Sequence, residues 1–500
     1  MDKHVIIVGA GIAGLTAGIY ARRSGVDVTL IDQHSIPGGM CTSWRRKGYL
    51  FEGAIHWLTG SSPETELYQV WKETGALGDD VPVLLRDPFR SVECEGQLIH
   101  MYRDIDRTAE HLGAVSPEDK PLLRQLARDV KAVCNMQIPV FDVKGVKAEH
   151  PRRMAAGAMV KMMPALSVLG RMSKISSGEY TMRFTHPGIQ RLLRVDIQDN
   201  YSASALFITL ATLHSGDGGY PEGGALAMAD RMAKTFTGLG GRLLLDTKVQ
   251  RVNVKGGKAS GVILADGTTA GGTMAGGAMD ADAVIVTQET IAALDHLFDT
   301  PPRDAWLKDL RETVKPTACT FVSLGVRSEL PDGALPGWRL ETPITYAGLA
   351  IDEIGFNSYR QYAPEGCTAL TVILSGDTYD FWKQAMEAGR YAEEKEALAG
   401  QIVRALCAKY PQCEGRIEVV DVATPLTYER YTGAYRGSWM GVTEPGDKLK
   451  ANLYPGSCEG VGGLYFAGHR LMPPGGLPAA ALTGRQAAQL VCRQFDAVFR

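Results

Sequence analysis

The sequence opens with a short apolar run that leads directly into a glycine motif. Residues 5–8 are apolar, and Gly9, Gly11 and Gly14 follow in the pattern Gly-x-Gly-x-x-Gly, with Ala13 inside it. In a dinucleotide site the first glycine allows a tight turn, the second lets the backbone approach a pyrophosphate, and the third lets the helix pack on the strand. Amides and the dipole at the helix start then hold the phosphates. The motif predicts a strand–turn–helix unit that binds a dinucleotide.

A second apolar strand supplies the context that a lone glycine motif lacks. Residues 28–31 are apolar or β-branched and end at Asp32, about 20 residues beyond the motif, where a carboxylate can bond a ribose hydroxyl. The alternative is a glycine-rich turn in an unrelated α/β domain. The strand and Asp32 favour the dinucleotide site.

Bulk composition excludes several other classes of protein. A chain of 500 residues predicts two or three intertwined domains. The net charge of −3 gives no reason to expect nucleic-acid binding. Nine cysteines without Cys-x-x-Cys spacing argue against a metal site and a disulfide framework, and they suit a reducing cytoplasm. The sequence enters its first strand at once and has no apolar stretch of spanning length, so we expect no signal peptide and a cytoplasmic protein.

The α/β pattern occurs in three separated stretches. We predict a discontinuous dinucleotide-binding domain from residues 1–74, 215–300 and 416–500. Residues 75–214 and 301–415 are then two insertions that form a substrate-binding domain. The sequence shows no internal repeat.

Four segments spread over nearly the whole chain carry a family resemblance. They are the glycine motif with Asp32, the pair Gly38-Gly39 followed by residues 47–52, the turn at 221–224 with the Val249 strand, and the block 463–484. Together they resemble the phytoene desaturase, carotenoid isomerase and retinol saturase group of FAD-dependent oxidoreductases, within the amine-oxidase-like flavoproteins. The resemblance implies FAD as cofactor. It also implies an α/β, Rossmann-like FAD-binding domain of the glutathione-reductase type with an inserted α+β substrate domain on a mixed sheet and helices.

The resemblance also implies individual cofactor contacts in the first half of the chain. Gly38 and Gly39 bring backbone amides toward the flavin and pyrophosphate, since no side chain blocks the approach. Met40 stands where an arginine often follows the paired glycines. The backbone of Val249 matches the position that bonds the adenine ring.

Further contacts are implied near the end of the chain. Gly468 ends a strand beside the ribityl chain, and a helix beginning near Leu477 and Pro478 points its positive end at the flavin N1/O2 edge. His469 and Arg470 replace the acidic residue usual after that glycine. A neutral imidazole can still bond a ribityl hydroxyl, and we expect Arg470 to face the pyrophosphate.

The electrons must come from or go to a diffusing partner. No second Gly-x-Gly-x-x-Gly follows another strand, so the sequence predicts no separate nicotinamide domain. The candidates are the substrate itself, oxygen, a quinone, or transiently bound NAD(P)H.

Two side chains are candidates for catalysis. His56 lies where the resemblance places the chain beside the flavin, and imidazole titrates near neutral pH. The alternative is a histidine that fixes its loop by backbone hydrogen bonds. Tyr220 precedes the turn at 221–224, and there a structural tyrosine is the alternative to one that reaches the flavin.

A basic, methionine-rich patch at residues 144–174 has two interpretations. It is either a membrane-facing surface that feeds a lipidic substrate inward or a solvated helix that covers the substrate domain. Its members are Met154, Met159, Met162, Met163, Leu166, Leu169, Lys144, Lys147, Arg152, Arg153, Lys161, Arg171 and Lys174. The first interpretation places the protein on the inner face of a membrane.

Three functions follow from these observations. The first is an FAD-dependent oxidoreductase that desaturates, saturates or isomerises carbon–carbon bonds of a long hydrophobic polyene. The second is an amine or protoporphyrinogen oxidase, which a polar or aromatic cage over the flavin would favour over an apolar tunnel. The third is a non-enzymatic, lipid-binding chaperone of the Rab-escort type.

Overall fold

The computed structural model describes residues 3–500 apart from residues 135, 137, 153–156, 266, 270–271, 275–276, 314, 443 and 447–453. Its α-helices are α1 (Ile12–Arg23), α2 (Glu66–Glu73), α3 (Ile105–Val115), α4 (Lys120–Val133), α5 (Ala158–Met172), α6 (Ser177–Thr181), α7 (Pro187–Leu192), α8 (Ser204–His214), α9 (Gly224–Gly238), α10 (Thr290–His296), α11 (Ala305–Thr313), α12 (Tyr379–Glu387), α13 (Tyr391–Lys409), α14 (Pro425–Thr432) and α15 (Gly476–Gln494).

The strands of the same residues are β1 (His4–Val8), β2 (Asp27–Ile31), β3 (Ser43–Arg46), β4 (Tyr49–Glu52), β5 (Val83–Leu84), β6 (Arg90–Cys94), β7 (Gln97–Met101), β8 (Tyr220–Pro221), β9 (Arg242–Leu244), β10 (Val249–Lys255), β11 (Lys258–Leu264), β12 (Gly267–Thr269), β13 (Gly272–Met274), β14 (Ala278–Asp280), β15 (Ala283–Val286), β16 (Lys315–Thr317), β17 (Cys319–Val326), β18 (Gly333–Ala334), β19 (Trp338–Tyr346), β20 (Leu349–Ile354), β21 (Asn357–Tyr359), β22 (Thr368–Ser375), β23 (Ile417–Ala423), β24 (Met440–Val442) and β25 (Leu464–Phe466).

A five-stranded parallel sheet forms the centre of the nucleotide-binding part. Its order is β25-β15-β1-β2-β9. Val5 and Ile7 on β1 pack with α1, α9 and α15, while Ile6 and Val8 pack on the opposite side with β10, β11 and α10. Side chains alternate between the faces of a strand, so a strand covered on both faces is apolar throughout. This explains the unbroken apolar run at residues 5–8.

The sheet takes its strands from three distant stretches of the chain, in residues 4–31, 242–286 and 464–466. The predicted α/β, Rossmann-like fold with an inserted α+β part is confirmed. The domain boundaries at residues 74, 214, 300 and 415 stay a prediction.

The inserted part has a helical half and a sheet half. Helices α3–α8 and the hairpin β6–β7 share one core, and the second sheet, β18-β21-β22-β17-β23, packs with α12 and α13 around another. One correction concerns that sheet: we expected it to be mixed, but its described strand pairs are antiparallel. Short connections such as the one between β21 and β22 can join antiparallel neighbours, whereas parallel neighbours need a long crossover.

Residues 138–152 form a strap along the closing helix α15. Asp142 Oδ1 accepts hydrogen bonds from Arg485 Nη2 at 2.7 Å and Gln489 Nε2 at 2.6 Å. Farther along, the backbones of Lys147 and Phe499 pair, with Phe499 N donating to Lys147 O at 2.7 Å. The strap, which connects α4 to α5, therefore fastens the carboxyl-terminal residues to the helical insertion.

Candidate functional site

One cavity runs between the parallel sheet and the inserted part. Its volume is about 1860 Å³, and its lining is mostly apolar and comes from both parts of the chain. Pockets for one small ligand commonly measure about 300–1,000 Å³. The cavity is therefore large enough for a cofactor together with a second extended molecule.

The glycine motif forms one edge of this cavity. Gly9, Gly11 and Ala13 line it, whereas Gly14 does not. A Cβ atom on Gly14 would lie 1.9 Å from the carbonyl oxygen of Gly9, so Gly14 is what allows α1 to start against the turn. No side chain caps the start of α1, and its first turn has no acidic residue. Its free amides and positive end therefore suit a phosphate group.

Asp32 and the paired glycines continue the same edge. Asp32 Oδ2 accepts from Ala10 N at 2.6 Å and Oδ1 accepts from His34 N at 2.8 Å. Burial raises the pKa of Asp32, and the two backbone N–H groups oppose that rise. Gly38 and Gly39 adopt φ of +113° and +59° and lie against Gly11, with Gly38 N donating to Ala10 O at 2.8 Å.

The last segment of the chain lines the opposite part of the cavity edge. Gly468, His469, Leu477 and Pro478 line the cavity, and so do Met40 and Val249 from the earlier segments. Helix α15 begins at Gly476 and has no side-chain cap, so its positive end is free to face an anionic group. This places residues from all four segments of the resemblance around one cavity.

His469 is a neutral group on this lining. Burial, with a smaller effect of Arg470, lowers the pKa of His469 to about 3. Its Nδ1 atom is shielded from water and has no hydrogen-bond partner. A buried polar atom without a partner is rare.

Arg470 is held by hydrogen bonds to other parts of the protein. Its side chain is buried, and its Nε atom donates to Glu289 Oε1 at 3.2 Å while Nη1 donates to Met440 O at 3.0 Å. Arg470 also lines the cavity, and its contact with the pyrophosphate stays a prediction. Glu289 lies far away in sequence, and a charge this deeply buried needs a nearby partner.

These features fit FAD. The uncapped amides at the start of α1 suit the pyrophosphate, and those at the start of α15 suit the electron-rich edge of the flavin. The glycines have no side chains, so the backbone segments pack closely and leave space for the cofactor. We propose that Gly9, Gly11, Ala13, Asp32, Gly38, Gly39, Met40, Val249, Gly468, His469, Leu477 and Pro478 contact the cofactor. Gly14 supports the site from behind α1.

The two candidates for catalysis lie in different surroundings. His56 lines the cavity, and its Nδ1 atom is 3.2 Å from Tyr359 Oη, while Nε2 is shielded and has no partner. Burial, together with Arg90 and Arg86, lowers the pKa of His56 to about 3. His56 is therefore neutral at physiological pH.

Tyr220 is not among the described residues that line the cavity. Its Oη atom donates to Glu52 Oε2 at 2.9 Å and lies 2.8 Å from Tyr362 Oη. Glu52 is buried and also accepts from Ala54, Ile55 and Ala225 backbone N–H groups. These contacts are those of a structural tyrosine, and a role of Tyr220 at the flavin stays a prediction.

The sequence analysis missed Thr287 and a pair of charged residues. Thr287 lines the cavity, and its Oγ1 atom donates toward Val8 O and Gly9 O at 3.0 and 2.9 Å, which holds the glycine turn. It directly follows β15, and ligands gather at the carboxyl ends of parallel strands, so that position was a usable signal. Arg191 and Glu353 also line the cavity as an ion pair, and no motif marks them.

We predict that Gly14→Ala weakens FAD binding roughly tenfold, because the added methyl group overlaps the Gly9 carbonyl and displaces α1. The measurement is the ratio of flavin to protein absorbance in titrations with FAD. Gly238→Ala is the matched control, since a Cβ there meets no atom within 4 Å. Equal FAD binding by both variants would contradict the assignment of the glycine turn.

The buried imidazole of His56 makes stability depend on pH. The pKa of His56 is 6.5 in the unfolded chain and about 3 in the folded protein. At pH values between these two, the unfolded chain binds a proton at His56 and the folded protein does not. The folded state therefore loses stability as pH falls through this window. His56→Gln should reduce that loss by up to about 1.4 kcal/mol per pH unit, measured by urea unfolding at pH 8, 6 and 5. Parallel pH profiles of the variant and the native protein would show that His56 is not a buried neutral group.

Two named relatives match this chain along almost its whole length. Prolycopene isomerase of Daucus carota is 24% identical over 98% of this chain and 80% of its own length. All-trans-retinol 13,14-reductase of Danio rerio is 23% identical over 97% of this chain and 84% of its own length.

Solved structures share the fold. A putrescine oxidase bound to putrescine superposes with a TM-score of 0.61 at 15% identity, covering 98% of this chain and 99% of that one. Cyclohexylamine oxidase from Brevibacterium oxydans gives a TM-score of 0.60 at 15% identity, covering 99% and 100%.

Residues 12–492 match the family of flavin-containing amine oxidoreductases. The match begins inside the glycine motif and covers α1, both insertions and nearly all of the closing helix. It confirms the prediction of an FAD-dependent enzyme over that of a non-enzymatic lipid-binding chaperone. The chain belongs to the flavin-containing amine oxidoreductase family and is an FAD-dependent oxidoreductase.

Proposed function

We propose that this oxidoreductase acts on carbon–carbon single or double bonds of a long hydrophobic polyene, by desaturation, saturation or cis–trans isomerisation. The observation that carries the proposal is the continuous cavity, which joins the predicted flavin site to a mostly apolar chamber in the inserted part. The names of the prolycopene isomerase and the retinol reductase support a polyene substrate.

The chamber is lined by elements that present apolar side chains. Leu166 and Leu169 come from α5, Ile208 from α8, and Val372 and Leu374 from β22. An apolar ligand gains free energy in proportion to the apolar surface that it buries. A long hydrocarbon chain therefore suits this chamber better than a small amine does.

His56 is the side chain that we propose for catalysis at the cavity. FAD, when bound, supplies the hydride chemistry, and the protein supplies position and electrostatics. His56 presents a neutral imidazole whose Nδ1 atom lies 3.2 Å from Tyr359 Oη, and it gains a proton only where a neighbouring negative charge raises its low pKa. The second electron carrier in the proposal is a diffusible oxidant or reductant: oxygen, a quinone or NAD(P)H.

The same cavity opens beside exposed apolar residues. On α5, Leu166 lines the cavity while Val160 and Met163 are 74% and 60% exposed. Lys144, Lys161 and Lys174 are exposed in the same segment, whereas Met154 and Arg153 lie outside the described residues. No helix in the described parts of the chain is long and apolar enough to cross a bilayer. We propose that α5 touches the surface of an anionic membrane, where lipidic substrates enter, and that the protein is cytoplasmic and peripheral on the inner face.

The absorbance of the flavin reports whether a polyene reacts with it. Anaerobic FAD-loaded protein is mixed with linear polyenes of different saturation, in both the oxidised and the photoreduced state. We expect one of three results: a polyene bleaches the oxidised flavin, reoxidises the reduced flavin, or changes cis–trans geometry without a lasting change in flavin absorbance. Product analysis by chromatography identifies which reaction occurs.

The control for this experiment is a set of amines and a porphyrinogen. Putrescine, cyclohexylamine and protoporphyrinogen should leave the oxidised flavin unchanged. If one of them reduces the flavin and no polyene reacts, the proposal is wrong and the oxidase alternative replaces it.

The exposed apolar side chains of α5 should control binding to a membrane. The double variant Val160→Ser, Met163→Ser should bind vesicles of phosphatidylcholine and anionic phosphatidylglycerol at least roughly tenfold more weakly in cosedimentation, since two exposed apolar side chains are lost. Met386→Ser, which removes an exposed methionine from α12, is the control and should bind as the native protein does. Membrane contact through α5 is refuted if native protein and double variant sediment alike.

A further inference from the structure

The last turn of α14 reaches the end of β2. Tyr431 and Thr432 from this turn line the cavity, as do Asp32 and Gln33 from the end of β2. The centroid of the Tyr431 ring lies 5.1 Å from that of the His34 ring, with the two planes at 62°. The backbone N–H of His34 in turn donates to Asp32 Oδ1 at 2.8 Å. His34 therefore places Tyr431 next to the segment whose carboxylate we predict to bind the ribose.

The same turn also reaches the end of β15. Gly433, which ends α14 with φ of +64°, lies against Gln288, since a Cβ atom on Gly433 would be 2.8 Å from Gln288 Nε2. Gln288 lines the cavity just after β15. Strand β1 lies between β2 and β15 in the sheet. The end of α14 therefore contacts both neighbours of the strand that leads into the glycine turn.

Tyr431 presents an accessible aromatic surface at this place. It is 44% exposed although it lines the cavity. Its neighbour His34 is fixed, because His34 Nδ1 accepts a hydrogen bond from Ile36 N at 3.0 Å. Arg430 Cζ lies 5.3 Å from the centroid of the Tyr431 ring. A ring that is already held by its neighbours loses little conformational entropy when a flat ligand packs on it.

Adenine is the part of FAD that matches this surface. It is flat and stacks on aromatic rings, whereas the anionic pyrophosphate is not attracted to the electron-rich face of a ring. The isoalloxazine ring is also flat, but Leu477 and Pro478, which we predict to contact it, come from the start of α15. Tyr431 instead contacts the residue two positions after Asp32.

We propose that Tyr431 is a cofactor-binding residue that stacks on the adenine ring of FAD and makes the protein select FAD over FMN. The backbone of Val249, which also lines the cavity, is predicted to bond the edge of adenine, so a face of the ring remains for Tyr431. This inference concerns the cofactor and does not depend on the proposed polyene substrate.

Affinities for FAD, FMN and ADP test the role of Tyr431. Full-length protein is freed of its cofactor, the flavins are titrated by the change in their fluorescence, and ADP is titrated as a competitor of FAD. Tyr431→Ala should bind FAD and ADP at least roughly tenfold more weakly, because it lacks the stacking surface. It should bind FMN, which has no adenine, as the native protein does. Tyr431→Phe keeps the ring and should bind all three ligands within about twofold of the native affinity.

Phe141→Ala is the matched control. Phe141 is 49% exposed and lines the same cavity, but it lies on the strap, where its carbonyl accepts a hydrogen bond from Arg485 Nη1 at 3.4 Å. This variant also removes an exposed aromatic ring and should keep the native affinity for ADP. Circular dichroism establishes that each variant is folded. If Tyr431→Ala does not fold, Tyr431→Leu takes its place with the same expected losses.

Four results would overturn the assignment of Tyr431. The first is native affinity for FAD and ADP in the alanine or leucine variant. The second is an equal loss for FAD, ADP and FMN, because Tyr431 would then support the cavity as a whole. The third is a loss in Tyr431→Phe as large as in Tyr431→Ala, since the hydroxyl group and not the ring would then bind. The fourth is an equal loss of ADP affinity in Phe141→Ala. All four leave the polyene proposal standing.

Discussion

The contact between Gly14 and the carbonyl of Gly9 is the constraint on which the nucleotide-binding part depends. It lets α1 start directly above the end of β1, and it leaves no space for a methyl group. The closing helix meets α1 under the same restriction, since a Cβ on Gly484 would lie 2.3 Å from Ala13 O. Thr287 fixes the turn from the neighbouring strand. The first, middle and last segments of the chain can thus share one cavity edge, because glycines let their backbones come into direct contact.

The features that the sequence predicts well are those set by local steric rules. The glycine turn, the strand before it and Asp32 at the end of β2 follow from residue types at fixed spacing. The pattern of apolar residues along the sequence could not show that β9 is the edge strand of the parallel sheet. The pairing of β9 with β2 joins residues that are more than two hundred positions apart. Long-range pairing of this kind leaves no local pattern.

Side-chain roles were harder to predict than backbone positions, for a related reason. Tyr220 immediately precedes a turn of the resemblance, yet its hydroxyl points to buried Glu52, which comes from β4. Arg470 follows the predicted ribityl contact, yet its partner Glu289 lies at the start of α10. In both cases the hydrogen-bond partner of a buried polar group lies far away in the sequence, so the neighbouring residues do not predict it. The cavity lining consequently keeps neutral imidazoles at His56 and His469, which suits an apolar ligand.

The order in which the chain leaves the ribosome limits when the cofactor can be held. The sheet edge, the ribityl contact and the uncapped helix start beside the flavin all belong to residues 464–494, and Phe499 then fastens the strap. A nascent chain that has completed β1, α1 and β2 has the glycine turn and Asp32 but lacks β15, which pairs with β1, and β25, which pairs with β15. FAD is therefore enclosed only after residues 464–494 have been made, and loss of Phe499 removes its backbone hydrogen bonds to the strap while leaving the glycine turn intact.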